Sequence, residues 1–354
     1  MDIEPFMPSA ETVAAIEKDV ATYNKRRAHE AARLKSRRPA MITAYLVAIL
    51  AVAFLAYLAA GRLTLFHGFL VAAGVGFFPH VDKWLKVDAE WTQQRFRDHI
   101  LPVMFGFIPD FRYSHGGKPG IFESIPREML PGHNHRSFDD IMSGTLEGGR
   151  FVLFEMKLVQ RSKNSETVTF QGAVLHGRLG SPFAGTLLAT RKIGDFSRFF
   201  RDLFGSSLSQ IVAGDRRLDE LYEFRTDRRA EARQMLTGPL GGMLHALWRE
   251  WPGDTAQIGI GGDDVFVMLP TSHNFFELPP IDAEIGYEAD LAPMMRQIAR
   301  FLSIAAMIPA LDGAQPAAEQ AEAAPAPAEE KPEADADFVP LLDPVEPAVP
   351  SGDH

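Results

Sequence analysis

The chain has 354 residues, a formal net charge of −10 and no cysteine. That excludes a disulfide framework and a zinc–thiolate centre, and it leaves room for one or two folded domains. The charge is unevenly placed: ten acidic residues against Lys331 lie from Gly313 onward, so a nucleic-acid surface is not expected outside a basic N-terminal arm.

Residues 1–40 read as an amphipathic helix. Val13, Ile16, Val20 and Tyr23 recur at three and four residues and form one apolar stripe. Arg27 and Glu30 take the next positions and end the stripe, too soon for a stable coiled coil. Lys25, Arg26, Arg27, Arg33, Lys35, Arg37 and Arg38 make the second half basic, as contact with anionic lipid would require.

Residues 41–81 follow as a transmembrane helical hairpin. Met41–Ala60 contains 20 residues without an ionisable side chain, and at about 1.5 Å per helical residue it matches a hydrocarbon core of about 30 Å. Leu63–Val81 is less uniform, holding His67, Pro79 and His80. Beside the first span it reads as a return helix, since a chain in lipid must satisfy its backbone amides internally. Ala44 and Ala48, Ala56 and Ala60, and Gly68, Ala72 and Gly76 are small residues four apart, a spacing that lets two helices approach closely. Lysines and arginines crowd both outer flanks while the turn holds Arg62 alone, which places both termini in the cytoplasm. Trp84 then sits at headgroup level.

Residues 82–310 carry mixed strand and helix patterns. Arg150–Gln160 alternates, with Val152, Phe154, Met156 and Leu158 on one face and Glu155 and Lys157 on the other; Thr167–Leu175 resumes after a polar break, so the two runs predict a long hairpin. Ala184–Thr190 and Leu221–Arg225 add strands, and Gln257–Ile260 with Val265–Leu269 predict a second hairpin turning at Gly261-Gly262-Asp263-Asp264. Helices are expected after Asp195, with Phe196, Phe199, Phe200, Leu203 and Phe204 on one face, after a capping Asp227, from Pro239, and from about Asp290. The expected fold is an α+β cytoplasmic domain of antiparallel hairpins plus helices, attached to the two-helix transmembrane hairpin. Residues 311–354 are rich in Ala, Pro and Glu and are expected to be disordered. Phe338, Leu341 and Leu342 are the apolar anchors there, a candidate peptide for a partner's groove.

The run Phe105-Gly106-Phe107-Ile108-Pro109-Asp110-Phe111-Arg112-Tyr113-Ser114, the later Asp139-Asp140-Ile141-Met142-Ser143-Gly144-Thr145, and Glu231-Ala232-Arg233-Gln234-Met235-Leu236-Thr237 resemble a bacterial membrane-anchored family known as a domain of unknown function, number 3137 in that series. The resemblance covers roughly Leu101 to Ser303, and the paired spans ahead of it match that family's layout. It implies a membrane-anchored domain and supplies no catalytic residues.

Candidate chemistry is sparse. His133, His135, Asp139 and Asp140 combine imidazole and carboxylate and are the candidate metal ligands, although Pro131–His135 reads as a surface loop. His115, beside Gly116 and Gly117, reads as part of a solvated turn. Gly116-Gly117-Lys118-Pro119-Gly120 is not a phosphate loop, because Pro119 stands where Ser or Thr must follow the lysine. Arg191, Lys192, Arg198 and Arg201 flank the phenylalanine-rich helix and, with Trp84, form a candidate membrane-surface contact. No catalytic residue and no cofactor is indicated. The expected partners are the lipid bilayer and an unidentified protein, not nucleic acid. The leading functional reading is a membrane-tethered binding or scaffold module; the alternatives are a module acting on the membrane surface and a hydrolase or metal enzyme without a recognisable motif.

Overall fold

The computed structural model describes residues 1–61, 68, 69, 72, 74, 76, 91, 93–146, 149–192, 208–252, 256–272, 274–280 and 283–311. The helix expected after Asp195, most of Leu63–Val81, Trp84, Arg198, Arg201, the side chain of Arg191 and the tail with Phe338, Leu341 and Leu342 lie outside the described residues. The chain divides into two compact units, a helical one (Pro8–Phe107 with Phe276–Met295) and a sheet unit built mainly on Ile108–Phe275.

In the helical unit, α1 runs without interruption from Ala10 to Ala60. The Ser9 hydroxyl caps it by accepting from Thr12 N, and Gly61 ends it in a left-handed conformation that glycine adopts without steric cost. The apolar stripe is buried as its spacing predicts, at Ile16, Val20 and Tyr23, and it extends one position further than expected: Arg27 is buried too. A second helix, α2, covers 93–104. Tyr23 stacks on Phe96 of α2 with ring centroids 4.0 Å apart, and the Asn24 amide brackets Ile285, donating to its carbonyl at 2.7 Å and accepting from its N–H at 3.1 Å.

The C-terminal half of α1, Pro39–Ala59, is long and apolar enough to cross a membrane, and none of its most apolar stretch is buried. Leu46, Leu50, Phe54 and Leu58 are exposed. Residues 68, 69, 72, 74 and 76 are helical. The close approach to α1 is made by Gly74, where an added Cβ would lie 2.8 Å from Ile49 Cδ1, and Tyr45 donates its hydroxyl to the Gly74 carbonyl at 2.7 Å. Of the expected small-residue series, Gly68 and Gly76 have no described atom near an added Cβ and Ala44 and Ala48 are exposed, while Ala56 is partly buried. A second apolar stretch, Tyr287–Leu311, is mostly buried, as the core helix of a folded unit is.

The sheet unit has strands β1 (Arg112–His115), β2 (His135–Leu146), β3 (Gly149–Arg161), β4 (Glu166–Arg191), β5 (Ser209–Ile211), β6 (Tyr222–Thr226) and β7 (Gln257–Pro270). All pairings are antiparallel, in the order β1-β2-β3-β4-β6-β5, with β7 on β4. The long hairpin of β3 and β4 forms as its alternation predicts. Strand β4 continues through Ala184–Thr190, so two expected strands are one of 26 residues. The second expected hairpin does not form. Gln257–Pro270 is a single strand along β4, and Gly262, at φ 63°, bends it where Arg178 to Phe183 of β4 slip in register. The extra residues of this bulge lie in β4, and the glycines read as a turn sit opposite them, Gly262 supplying a positive φ without reversing the chain.

The longer helices outside α1 and α2 are α3 (Arg216–Leu221), α4 (Arg229–Thr237), α5 (Pro239–Glu250) and α6 (Ala292–Met307). Asp227 does not cap α4: its carboxylate accepts from Thr186 N in β4 at 2.8 Å, tying the α4 approach to the sheet. The core of this unit gathers Phe154, Met156, Leu158, Phe170, Val174, Phe266 and Met268 from β3, β4 and β7 under Phe122, Ile125 and Met129. Strand β3 is buried on both faces for most of its length, Glu155 included, not on one face as its pattern suggested.

Candidate functional site

The polar chemistry of the sheet unit concentrates where β1, β2 and β3 lie side by side. Strand β2 is in regular register with β3 up to Phe138, opposite Met156, and again from Ile141, opposite Phe154. Asp139 and Asp140 therefore face the single residue Glu155, a bulge of two against one. On the other edge of β2, Asp140 is the register partner of His115 at the end of β1. Gly116 and Gly117 turn the chain out of β1 with φ of 72° and 84°, and Gly116 N donates to the Asp139 carbonyl at 2.6 Å, which fixes the bulge from that edge.

The bulge brings both carboxylates onto one imidazole. His115 Nδ1 lies 3.0 Å from Asp139 Oδ1 and 3.1 Å from Asp140 Oδ1. Tyr113 donates its hydroxyl to Asp140 Oδ1, and Asn274 donates to the other oxygen of Asp139 at 3.2 Å. Asp140 is fully buried, whereas Asp139 and His115 each keep more than a third of their side-chain surface in solvent. The hydrogen bonds to Asp139 and Asp140 raise the His115 pKa to about 9, against the partial desolvation that lowers it. At neutral pH His115 is an imidazolium between two carboxylates.

Asp139 also stands at the lip of a cleft of about 260 Å³ lined by Ser137, Glu155, Lys157, Gln171 and Asn274 among others. Glu155 is buried and accepts from Phe275 N at 2.6 Å. Gly172 forms part of the wall, and it must be glycine: an added Cβ would lie 2.0 Å from the Leu269 carbonyl oxygen. The arrangement offers a charged imidazole for binding an anion or donating a proton, and a set of one nitrogen and two oxygens, mutually within 4.8 Å, that could hold a metal ion.

The structure does not bring the four expected metal ligands together. Asp139 and Asp140 converge, but with His115 in place of His133 and His135. His133 donates from Nδ1 to the Pro131 carbonyl at 2.8 Å, within its own loop, and His135 is exposed at the start of β2 opposite Val159. In sequence His115 reads as part of a solvated turn, and no local signal marks its pairing with residues 24 and 25 positions later. Of the candidate membrane-surface set, Lys192 is described: it is exposed and its ammonium donates to the Asp219 carbonyl.

Elsewhere, His176 is buried, with Nε2 2.8 Å from Asp264 Oδ1 and its ring against Phe266; desolvation pushes its pKa down despite Asp264. In the helical unit, α1 and α2 enclose a groove of about 800 Å³ where Lys25, Arg26 and Arg95 outnumber Asp19 and Glu30.

No family model matches the chain, and no curated protein matches it. Among solved structures, the crystal structure of the mycobacterial trehalose monomycolate transport factor A, TtfA, is similar at 10% identity over 55% of this chain and 88% of that chain, with a TM-score of 0.31. A superposition of that quality assigns neither fold nor function.

Proposed function

We propose that the chain is a membrane-tethered binding or scaffold module of the bacterial inner membrane: Pro39–Ala59 and residues 63–81 form the anchoring hairpin, both termini lie in the cytoplasm, and the sheet unit offers the cleft beside His115 to its ligand or partner. The observation that carries this reading is the exposure of Pro39–Ala59. A 21-residue apolar helix with none of its most apolar window buried has no solvent in water and a matching one in hydrocarbon. The contact of Gly74 with Ile49 supports a returning helix. The charge asymmetry of the flanks supports the orientation, and the resemblance to the unknown-function family numbered 3137 is part of the same proposal.

The test is extraction of the full chain from bacterial membranes with alkaline carbonate. The wild type should stay in the pellet. Leu50→Arg with Phe54→Arg, each costing about 2.5–3.5 kcal/mol at the centre of a span, should move it to the supernatant or prevent its accumulation. Wild-type protein released by carbonate would overturn the anchor.

The basic groove of the helical unit favours a second reading, a module that acts on anionic lipid headgroups. Lys25→Glu with Arg26→Glu should then reduce association of detergent-purified protein with phosphatidylglycerol nanodiscs, and equal association would remove this reading.

A further inference from the structure

We propose that His115, Asp139 and Asp140 form a binding site for a divalent transition-metal cation of the Zn²⁺ or Mn²⁺ class at the lip of the β2–β3 cleft. The site goes beyond the membrane-anchor reading and stands or falls separately from it.

The geometry at one atom is the first argument. His115 Nδ1 sits at 3.0 and 3.1 Å from oxygens of two different carboxylates. A single N–H hydrogen cannot lie along both lines, so the proton of His115 serves one of these two contacts at a time. A cation placed among the three atoms serves all of them. With metal–ligand bonds of 2.0–2.2 Å, tetrahedral ligand atoms lie ~3.4 Å apart, a few tenths of an ångström beyond the separations from Nδ1 to the two oxygens. The third separation, between the ligand oxygens of Asp139 and Asp140, lies within 4.8 Å.

The surroundings of the three ligands are those a metal site requires. Asn274 donates to Asp139 Oδ2 and so leaves Oδ1 turned to His115, and the Tyr113 hydroxyl fixes Asp140. Such outer hydrogen bonds orient ligating carboxylates. Asp140 is fully buried and Glu155, across the bulge, is buried as well. Two carboxylates thus meet one imidazole, and a divalent cation that displaces the Nδ1 proton of His115 leaves two negative charges facing two positive ones. Entry is open, since Asp139 and His115 are both partly exposed and the cleft adjoins Asp139. One nitrogen and two oxygens suit Zn²⁺ and Mn²⁺ better than a thiophilic ion, and three protein ligands leave positions for water or for a donor group held in the cleft.

The experiment uses the full chain in detergent, untagged and stripped with EDTA. Zn²⁺ is titrated in competition with a chromophoric chelator, and Mn²⁺ by the electron paramagnetic resonance of the free ion. One equivalent of at least one ion should bind. Asp139→Asn and His115→Ala should each weaken it tenfold or more, whereas His133→Ala and His135→Ala should not change it. Melting curves of the metal-free variants establish that they fold. Should they not fold, wild-type protein decides: the X-ray absorption spectrum of bound Zn²⁺ must show a single imidazole nitrogen among oxygen donors. Absence of binding by both ions, binding indifferent to Asp139→Asn and His115→Ala, or a bound Zn²⁺ with two imidazoles or none would overturn the site.

Discussion

A histidine held between two carboxylates and a histidine held in a core respond to pH in opposite senses, and this chain contains one of each. The His115 pKa stands at about 9 in the folded chain against an ordinary value near 6.5. Its contribution to stability is complete below the unfolded value and is lost as pH rises through about 9. In EDTA, the melting temperature should therefore fall between pH 7 and pH 10, and His115→Gln should flatten that alkaline limb; an unchanged limb would show that the imidazolium contributes nothing. His176 is shifted down by burial, so the unfolded chain takes up its proton first and stability drops as pH falls below about 6.5. Neither behaviour was legible in the sequence. His115 and Asp140 meet through strand register, and Asp139 joins them through a bulge. A reading that looks for ligands nearby along the chain finds His133 and His135, which the loop and the strand edge carry elsewhere.

At the scale of elements, alternation told where the strands are but not where they end. Strand β3 and its hairpin with β4 were readable because Val152, Phe154, Met156 and Leu158 keep the period of two. The continuity of β7 through Gly261 and Gly262 was not, because a glycine pair marks a turn or a positive-φ point inside a strand with the same composition, and the partner strand decides which. Asp227 likewise has the right residue type and place for a helix cap, yet bonds across to β4. Two substitutions separate the kinds of constraint in the sheet. Phe154→Ala, at a fully buried position, should cost about 3–5 kcal/mol, measured by urea denaturation of the detergent-solubilised chain. Gly172→Ala adds one methyl group where the Leu269 carbonyl stands 2.0 Å away. It should destabilise the sheet as well, although a glycine-to-alanine change at an ordinary strand position would stabilise it by a few tenths to about 1 kcal/mol. A Gly172→Ala protein as stable as the wild type would mean that β4 and β7 are not held at that separation.

For the whole molecule, what composition can say it said early. A stretch of 20 residues without an ionisable group needs no tertiary information to be recognised, and in the folded chain it is the part of α1 left uncovered. The division into a helical and a sheet unit was out of reach, because Phe276–Met295 joins the helical unit after a long excursion through the strands. No local pattern records such a return; it is carried by pairings such as Asn24 with Ile285.

The uninterrupted course of α1 has an angular consequence. Ile16, Val20 and Arg27 are 29 positions ahead of Tyr45, Ile49 and Ala56 respectively, three of the less exposed residues of the apolar half. At 100° per residue that interval is eight full turns plus about 20°, so the basic half and the apolar half present their contact stripes in phase, on one side of a single rod. Phase can be altered without changing any contact residue. Two alanines inserted after Ser36 advance it by about 200°, four by about 40°. Because the chain has no cysteine, Ile49→Cys with Gly74→Cys gives a clean oxidative cross-link to follow beside the melting temperature. The two-residue insertion should lose the cross-link or several degrees of melting temperature, and the longer one should keep both. Equal behaviour of the two insertions would mean that α1 is a swivel at Pro39, and that its two halves answer to different neighbours independently.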